Sequence, residues 1–184
     1  MRHPGFFRTV RAAVLAVVLT LSAATVSGTA VAEPASSNQV VVGIQAITSG
    51  MAQLKTDVVG FNDLASALKV QSTAAALDLV VKAATIDANN AGQLDQATSD
   101  AAVDAQADLA VQTASTMQAL STRAPALRQL GISSIVKATV TGLQQDTSTF
   151  NGSLETIVAT GDKPAVAAAS VQIDGDFLKT LNSL

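Results

Sequence analysis

Apolar positions recur at steps of four and three over most of this chain. The clearest run is Val40, Ile44, Ile47, Met51, Leu54, Val58, Phe61, Leu64 or Ala65, and Leu68. One helical face therefore stays apolar through four heptads. The spacing predicts a first helix over Val40–Leu68, about 43 Å long, with Ser37 or Asn38 as its cap. Gln45, Gln53, Lys55, Asp57 and Asp63 occupy its other faces. Gly43, Gly50 and Gly60 within it mark either close helix contacts or points of bending.

A break near Lys69–Ser72 precedes a second helix over Thr73–Asn90, with Leu77, Val80/Val81, Ala84 and Ala88 on its apolar face. Asn89-Asn90-Ala91-Gly92 is a stop signal. A third helix is predicted over Thr98–Ser121, capped by Thr98 or Ser99. Its seam is thin: Ala102, Ala105, Leu109, Thr113, Thr116/Met117 and Leu120. A turn at Arg123-Ala124-Pro125 leads to Gly131. The fourth helix, Ser133–Thr160, carries Val136, Val140, Leu143, Thr147, Phe150, Leu154 and Ile157, and Gly161 ends it. Asp162 and Pro164 open a fifth helix that runs through Val166, Ile173, Phe177 and Leu181. No stretch alternates with period two. The fold class is all-α, an antiparallel bundle of about five helices spanning residues 38–184.

The start of the chain obeys a different pattern. Arg2, His3, Arg8 and Arg11 precede an apolar run over Ala12–Leu21, and Ala30-Val31-Ala32 offers small residues for cleavage. Residues 1–32 read as a secretory signal peptide and 33–37 as a short lead. The other reading is an uncleaved anchor, against which stand Thr20, Ser22, Thr25, Ser27 and Gly28. No permanent membrane span is expected. Three of the 11 Lys and Arg lie in the leader and all 14 Asp and Glu follow it, leaving eight cations against 14 carboxylates. That balance argues against nucleic acid, which needs clustered Lys and Arg, and against attachment to anionic lipid. With no cysteine, the fold is held by burial or by what it binds.

Candidate chemistry is sparse. Asp100, Asp104 and Asp108 share a helix face, either as a solvated stripe or as a cation site. No His or Cys of the mature chain could complete a transition-metal site, so no metal is expected. Asp174-Gly175-Asp176 lacks the further ligands of a calcium loop and falls within the fifth helix. Nucleophilic catalysis lacks a mature His as base and a Gly-x-Ser-x-Gly elbow. Neither a catalytic residue nor a cofactor is assigned. Asn151-Gly152-Ser153 is a glycosylation acceptor sequence, which would place Asn151 at the surface and Phe150 inward. Phe61, Phe150 and Phe177 sit on the stripes of helices one, four and five. They form either an ordinary core or, with Leu64 and Leu154, the lining of an apolar cavity. In the second case Thr113, Thr116 and Thr147 would hold a polar head group; otherwise they are small-residue packing.

Val58-Val59-Gly60-Phe61-Asn62, the small-residue third helix, Pro125-x-Leu127-x-x-Leu130-Gly131 and the helices bearing Phe150 and Phe177 resemble a known group. It is the fungal family of hydrophobic surface-binding protein A and the cell-wall galactomannoproteins. The resemblance covers Asn38 to Leu184. It implies a secreted or wall-associated bundle without catalysis, adsorption to hydrophobic surfaces, recruitment of a secreted polyesterase, and fatty acids bound between helices. The alternative is a structural wall protein or self-associating bundle whose stripes are satisfied without a small-molecule ligand.

Overall fold

The computed structural model describes residues 35–184, with side chains from Asn38 onward. The leader assigned to residues 1–32 lies outside the described residues. Five helices follow: α1 (Ala35–Gly60), α2 (Leu64–Ala91), α3 (Gln96–Gln129), α4 (Ser133–Ile157) and α5 (Lys163–Ser183). Helix α1 begins inside the segment expected to be a lead.

The helices close a ring in the order α1–α2–α4–α5–α3 and back to α1. Consecutive helices run antiparallel. Three of the spatial neighbours nevertheless run parallel, as their polar ties show. Along α3 and α5, Ser99 donates to Asp162 and Thr180 donates to the Met117 carbonyl, both at a separation of 63 residues. Thr116 donates to Met51 O and Arg123 to Val59 O, so α1 and α3 also ascend together. Helices α2 and α4 descend together, pinned by Lys82, which lies 2.6 Å from Asp78 and 3.4 Å from Asp146.

The expected first helix is two helices. The stripe from Val40 to Val58 is buried as predicted, but the chain breaks at Phe61–Asp63. Asp63 accepts from the Ser66 amide at 2.8 Å, and Ser66 Oγ accepts from the Asp63 amide at 3.1 Å. That reciprocal pair satisfies two orphan donors of a new helix. Leu64 and Leu68 thus belong to α2, and no break occurs near Lys69–Ser72. Gly43 and Gly50 are the close contacts. A Cβ on Gly43 would lie 3.0 Å from Ala84 Cβ, and one on Gly50 would lie 2.7 Å from Leu77 Cδ1. Nothing lies near Gly60.

Helix α3 starts two residues earlier than predicted. Asp95 caps it by accepting from the Thr98 amide at 2.7 Å, while Ser99 is buried and accepts from the Ala159 amide. It also runs through Pro125 rather than turning there. Pro125 is exposed, while Ala124 and Leu127 are buried. Their burial helps offset a proline penalty of about 3 kcal/mol. The real turn comes at Gly131, whose φ of 70° suits glycine. Helix α4 stops at Ile157, before the predicted Thr160, because Gln93 donates to the carbonyls of Ile157 and Val158.

The two ends of the ring therefore differ. At one end the α2–α3 and α4–α5 connections are stitched together by Gln93, Leu94, Gln96 and Ser99. At the other end, two tight turns meet the C-terminus of α5, and there the interior is not filled. Among the described residues α2 alone is long and apolar enough to cross a membrane; here it packs along α1 and α4.

Candidate functional site

A cavity of about 130 Å³ lies inside the ring toward the end with the tight turns. Leu54 and Val58 of α1, Met117 and Leu120 of α3, and the first halves of α2 and α4 enclose it. Helix α2 contributes Leu64, Ala67, Leu68, Val70, Gln71 and Ala74; Ile132, just before α4, and Ile135, Val136, Thr139, Val140 and Leu143 of α4 complete the wall. From Leu64 to Ala74 the α2 residues span ten helical steps, so the cavity extends about 15 Å. The gap has a simple origin. Ala67 and Ala74 are the residues that α2 buries at this level, and neither reaches the middle.

The mouth opens between α2 and α4. Leu64 (55 % exposed), Leu68 (59 %) and Ile135 (49 %) form an apolar rim. Polar side chains are few: Gln71 is exposed, and the Thr139 hydroxyl already donates to the Ile135 carbonyl. A smaller hollow continues toward the turns, past Phe61, Arg123 and Leu127, sharing Val58, Ala67 and Leu120 with the first. Apolar cavities of this order stay dry and accept hydrocarbon.

The predicted site residues divide. Leu64 is on the rim and Phe61 lines the smaller hollow. Phe150, Leu154 and Phe177 are fully buried and line neither space. The cavity is thus walled by α1–α4, not by α1, α4 and α5 as expected. The reason is bulk: Phe150 and Phe177 are the largest fully buried side chains and fill the ring at their own level. The hydroxyls are also not on the cavity wall. Thr116 ties α3 to the Met51 carbonyl at 3.0 Å. Thr113 and Thr147 lie beneath Met117 and Leu143, buried, with hydroxyls that lack a partner.

Asn151 requires a correction. It is 3 % exposed, not at the surface, and accepts a hydrogen bond from Gln106 Nε2 at 2.7 Å. A glycan there would have to displace the bundle's centre. Phe150 does point inward, because both residues face the ring. Four polar atoms in this layer have no partner: Gln106 Oε1, Asn151 Nδ2, Thr113 Oγ1 and Thr147 Oγ1. Each costs about 1–3 kcal/mol if left unpaired. Gln106 was missed because a glutamine on a thin, alanine-rich seam looks like a solvated position.

Charges stand around the site rather than in it. Asp57 is buried below Leu54 and Val58; hydrogen bonds from Lys69 (2.7 Å) and Thr73 (2.7 Å) hold its pKa below the usual range. On the α2–α4 seam, Asp146 gives its hydrogen bond to Asp78, so Asp146 is pushed up and Asp78 down. Burial alone raises Asp174 on α5. Asp100, Asp104 and Asp108 are exposed along α3, and among the described residues no three His, Cys, Asp or Glu gather as metal ligands.

These features define a class: an all-α bundle with an apolar internal cavity that opens between two parallel helices. Residues 37–156 match the family described as hydrophobic surface binding protein A, and the chain belongs to that family. Curated proteins give no match. Solved structures share the fold. A crystal structure of AFMP4P in complex with palmitic acid aligns with a TM-score of 0.78 at 24 % identity, over 80 % of this chain and 98 % of that one. Ligand binding domain 1 of the Penicillium marneffei MP1 protein, complexed with arachidonic acids, gives 0.74 at 14 %, over 82 % and 98 %. Domain 2 of the same protein, complexed with multiple arachidonic acids, gives 0.73 at 17 %, over 80 % and 94 %. At these identities the likeness establishes the fold.

Proposed function

We propose that this is a secreted, non-catalytic protein that takes part of an acyl chain into the cavity between α1 and α4. The observation that carries this is the cavity itself: about 130 Å³, walled almost wholly by hydrocarbon, with an exposed leucine and isoleucine rim. The fatty acids in the complexes of AFMP4P and the MP1 domains support the same reading. The space is shorter than a long acyl chain, so the remainder of the chain lies along Leu64, Leu68 and Ile135. Burial at about 25 cal/mol per Å² makes a few hundred Å² of chain sufficient for useful affinity. Titration with a fluorescent fatty-acid analogue tests it. Saturable binding, one analogue per chain, displaced by palmitate, is expected; an analogue that stays free at all protein concentrations overturns the reading.

A second mode, adsorption to hydrophobic surfaces, draws on a different feature. Leu64, Leu68, Leu79 and Ile86 are all exposed and share one face of α2 over about 33 Å. This second stripe lies apart from the buried stripe of Ala74, Leu77, Val81, Ala84 and Ala88. The protein would deplete from solution onto hydrophobic beads and resist release by high salt. Leu79→Asp with Ile86→Asp would abolish adsorption and leave the analogue bound. Recruitment of a secreted polyesterase to such a surface, and association with the cell wall, belong to this second mode.

A further inference from the structure

We infer that the turn end of the bundle docks on a lipid surface that carries negative charge, so that the cavity mouth opens onto it. This rests on the cavity reading above and adds to it the surface from which an acyl chain is taken. The charges of the bundle are separated along its length. Lys69 of α2 is tied to Asp57 of α1 at 2.7 Å, and Arg123 of α3 donates to the Val59 carbonyl. The register of α1 and α3 places Lys55 within one turn of Arg123. Asp146 of α4 meets Asp78 of α2, and the same offset sets Lys137 at the level of Lys69. Lys55, Lys69, Arg123 and Lys137 therefore lie within about 5 Å along the axis. Arg128 is about 8 Å nearer the turns, where it donates to the Ser183 carbonyl. Among the described residues, the carboxylate side chains at or beyond this level are Asp57, spent on Lys69, and Asp63, which caps α2. A terminal carboxylate at Leu184 still leaves cations in excess. The other described Asp and Glu, among them Asp87, Asp95, Asp100, Asp104, Asp108 and Glu155, lie further down. Only Lys82, Lys163 and Lys179 oppose them there.

The same end carries apolar side chains into water. Val59, Leu64, Leu68, Leu130 and Ile135 are all exposed and lie at or beyond the level of Lys69. That zone is about 10 Å deep, on a bundle whose longest helix runs about 51 Å. Leu64, Leu68 and Ile135 are also the rim of the cavity mouth. An apolar rim ringed by Lys and Arg fits an interface in which anionic head groups overlie hydrocarbon. The long cations reach the head groups while leucine and valine enter beneath them. An acidic protein face would satisfy the cations and leave the apolar groups against charge. A neutral apolar surface would do the reverse. The acidic balance of the whole chain speaks against anionic lipid only when charge is averaged over its length. Asp78 and Asp146 are about 14 Å further along their helices than Lys69 and Lys137, and Lys82 holds both. Asp108 is about 22 Å below Arg123. In physiological salt the screening length is about 8 Å, so these carboxylates are muted at the turn end. Repelled by the surface, they turn the bundle end-on.

Co-flotation with vesicles tests this, using protein whose leader has been removed by a secreting host. Vesicles of phosphatidylcholine alone are compared with vesicles of phosphatidylcholine and phosphatidylglycerol. Binding to the mixed vesicles should be tighter by about tenfold or more, and high salt should release it. Lys137→Glu and Lys163→Glu change the net charge equally, and neither lysine makes an ion pair among the described residues. A cation near an anionic surface contributes about fivefold to binding, so Lys137→Glu should weaken it about 25-fold. Lys163→Glu, at the opposite end, should leave it within about twofold. Val59→Ser with Leu130→Ser should also weaken binding, whereas Leu79→Ser with Ile86→Ser, on the side of α2, should not. Equal binding to both kinds of vesicle, or binding that resists salt, would overturn the proposal in favour of a merely apolar contact. Equal losses in Lys137→Glu and Lys163→Glu would overturn it in favour of net charge. Absence of binding to either vesicle would overturn it outright. The vesicles carry no fatty acid, so each of these results leaves the cavity reading to the analogue titration in free solution. The comparison of lipids and salt needs no variant and stands if a variant does not fold.

Discussion

Filling the cavity from Ala67 tests whether the gap is real and whether it is the site. Ala67 is 8 % exposed and lines both the main cavity and the smaller hollow. Ala67→Leu adds three carbon groups to the space between α1, α2 and α4. At about 0.8 kcal/mol for each buried group, the gain is about 2.4 kcal/mol if they enter the gap without displacing neighbours. In a helix of this length, exchanging alanine for leucine costs only a few tenths of that. For a domain of this size the melting temperature should rise by about 4–8 °C. The same three carbons occupy the place of the acyl chain, so affinity for the fluorescent analogue should fall at least tenfold. Thermal melts followed by circular dichroism and an analogue titration read the two effects on one sample. A well-packed interior predicts the opposite sign, a loss of about 1–3 kcal/mol from overpacking. A destabilised variant that binds the analogue normally would refute the reasoning.

Other expectations follow from single contacts. Gly43→Ala should destabilise by about 1–3 kcal/mol, because its Cβ meets Ala84 Cβ at 3.0 Å and neither can move without parting α1 from α2; adding Ala84→Gly should restore most of the loss in chemical denaturation. Asp174 has a folded pKa raised by burial, so its carboxylate opposes folding above that pKa. Asp174→Asn should therefore raise stability at pH 7, with the gain vanishing as pH falls through the carboxylate range. Asp57 is the reverse case: its folded pKa is lowered, so its contribution is present above the unfolded value and disappears as pH falls through the folded one. Stability followed from pH 6 to pH 2 should show this loss in the natural protein and a smaller one in Asp57→Asn. Peptide mass mapping of protein expressed in a glycosylating host should find Asn151 bare, since it is buried against Gln106.

Helix type and count were legible because the buried stripes are regular. Val40 to Val58 and Val140 to Ile157 face the core where their periodicity puts them. Boundaries were less legible, and for physical reasons. The stripe of α1 continues in phase into Leu64 and Leu68 of α2, so periodicity alone cannot see the turn. The Asp63–Ser66 capping pair marks it, and a side-chain hydroxyl in place of the usual Glu or Gln concealed the signal. Pro125 looked like a stop, but the burial of Ala124 and Leu127 carries α3 past it. The site was only half visible. A cavity is an absence, set by which residues are small on the inward face. Ala67 and Ala74 create it, whereas attention to the large Phe150 and Phe177 points to the places that are full. The ring order α1–α2–α4–α5–α3 has no trace in local pattern, because it depends on which faces meet across the interior.

The central claim is that a chain lodges between the first halves of α2 and α4, against α1 and α3. Methyl-resolved NMR during titration with dodecanol measures this directly. Leu54, Val58, Val136 and Leu143 should shift and show contacts to the ligand's methylenes, while Val166 and Ile173, fully buried outside the described hollows, stay in place. Ligand contacts confined to the exposed positions Leu79 and Ile86, with the cavity methyls unmoved, would contradict it.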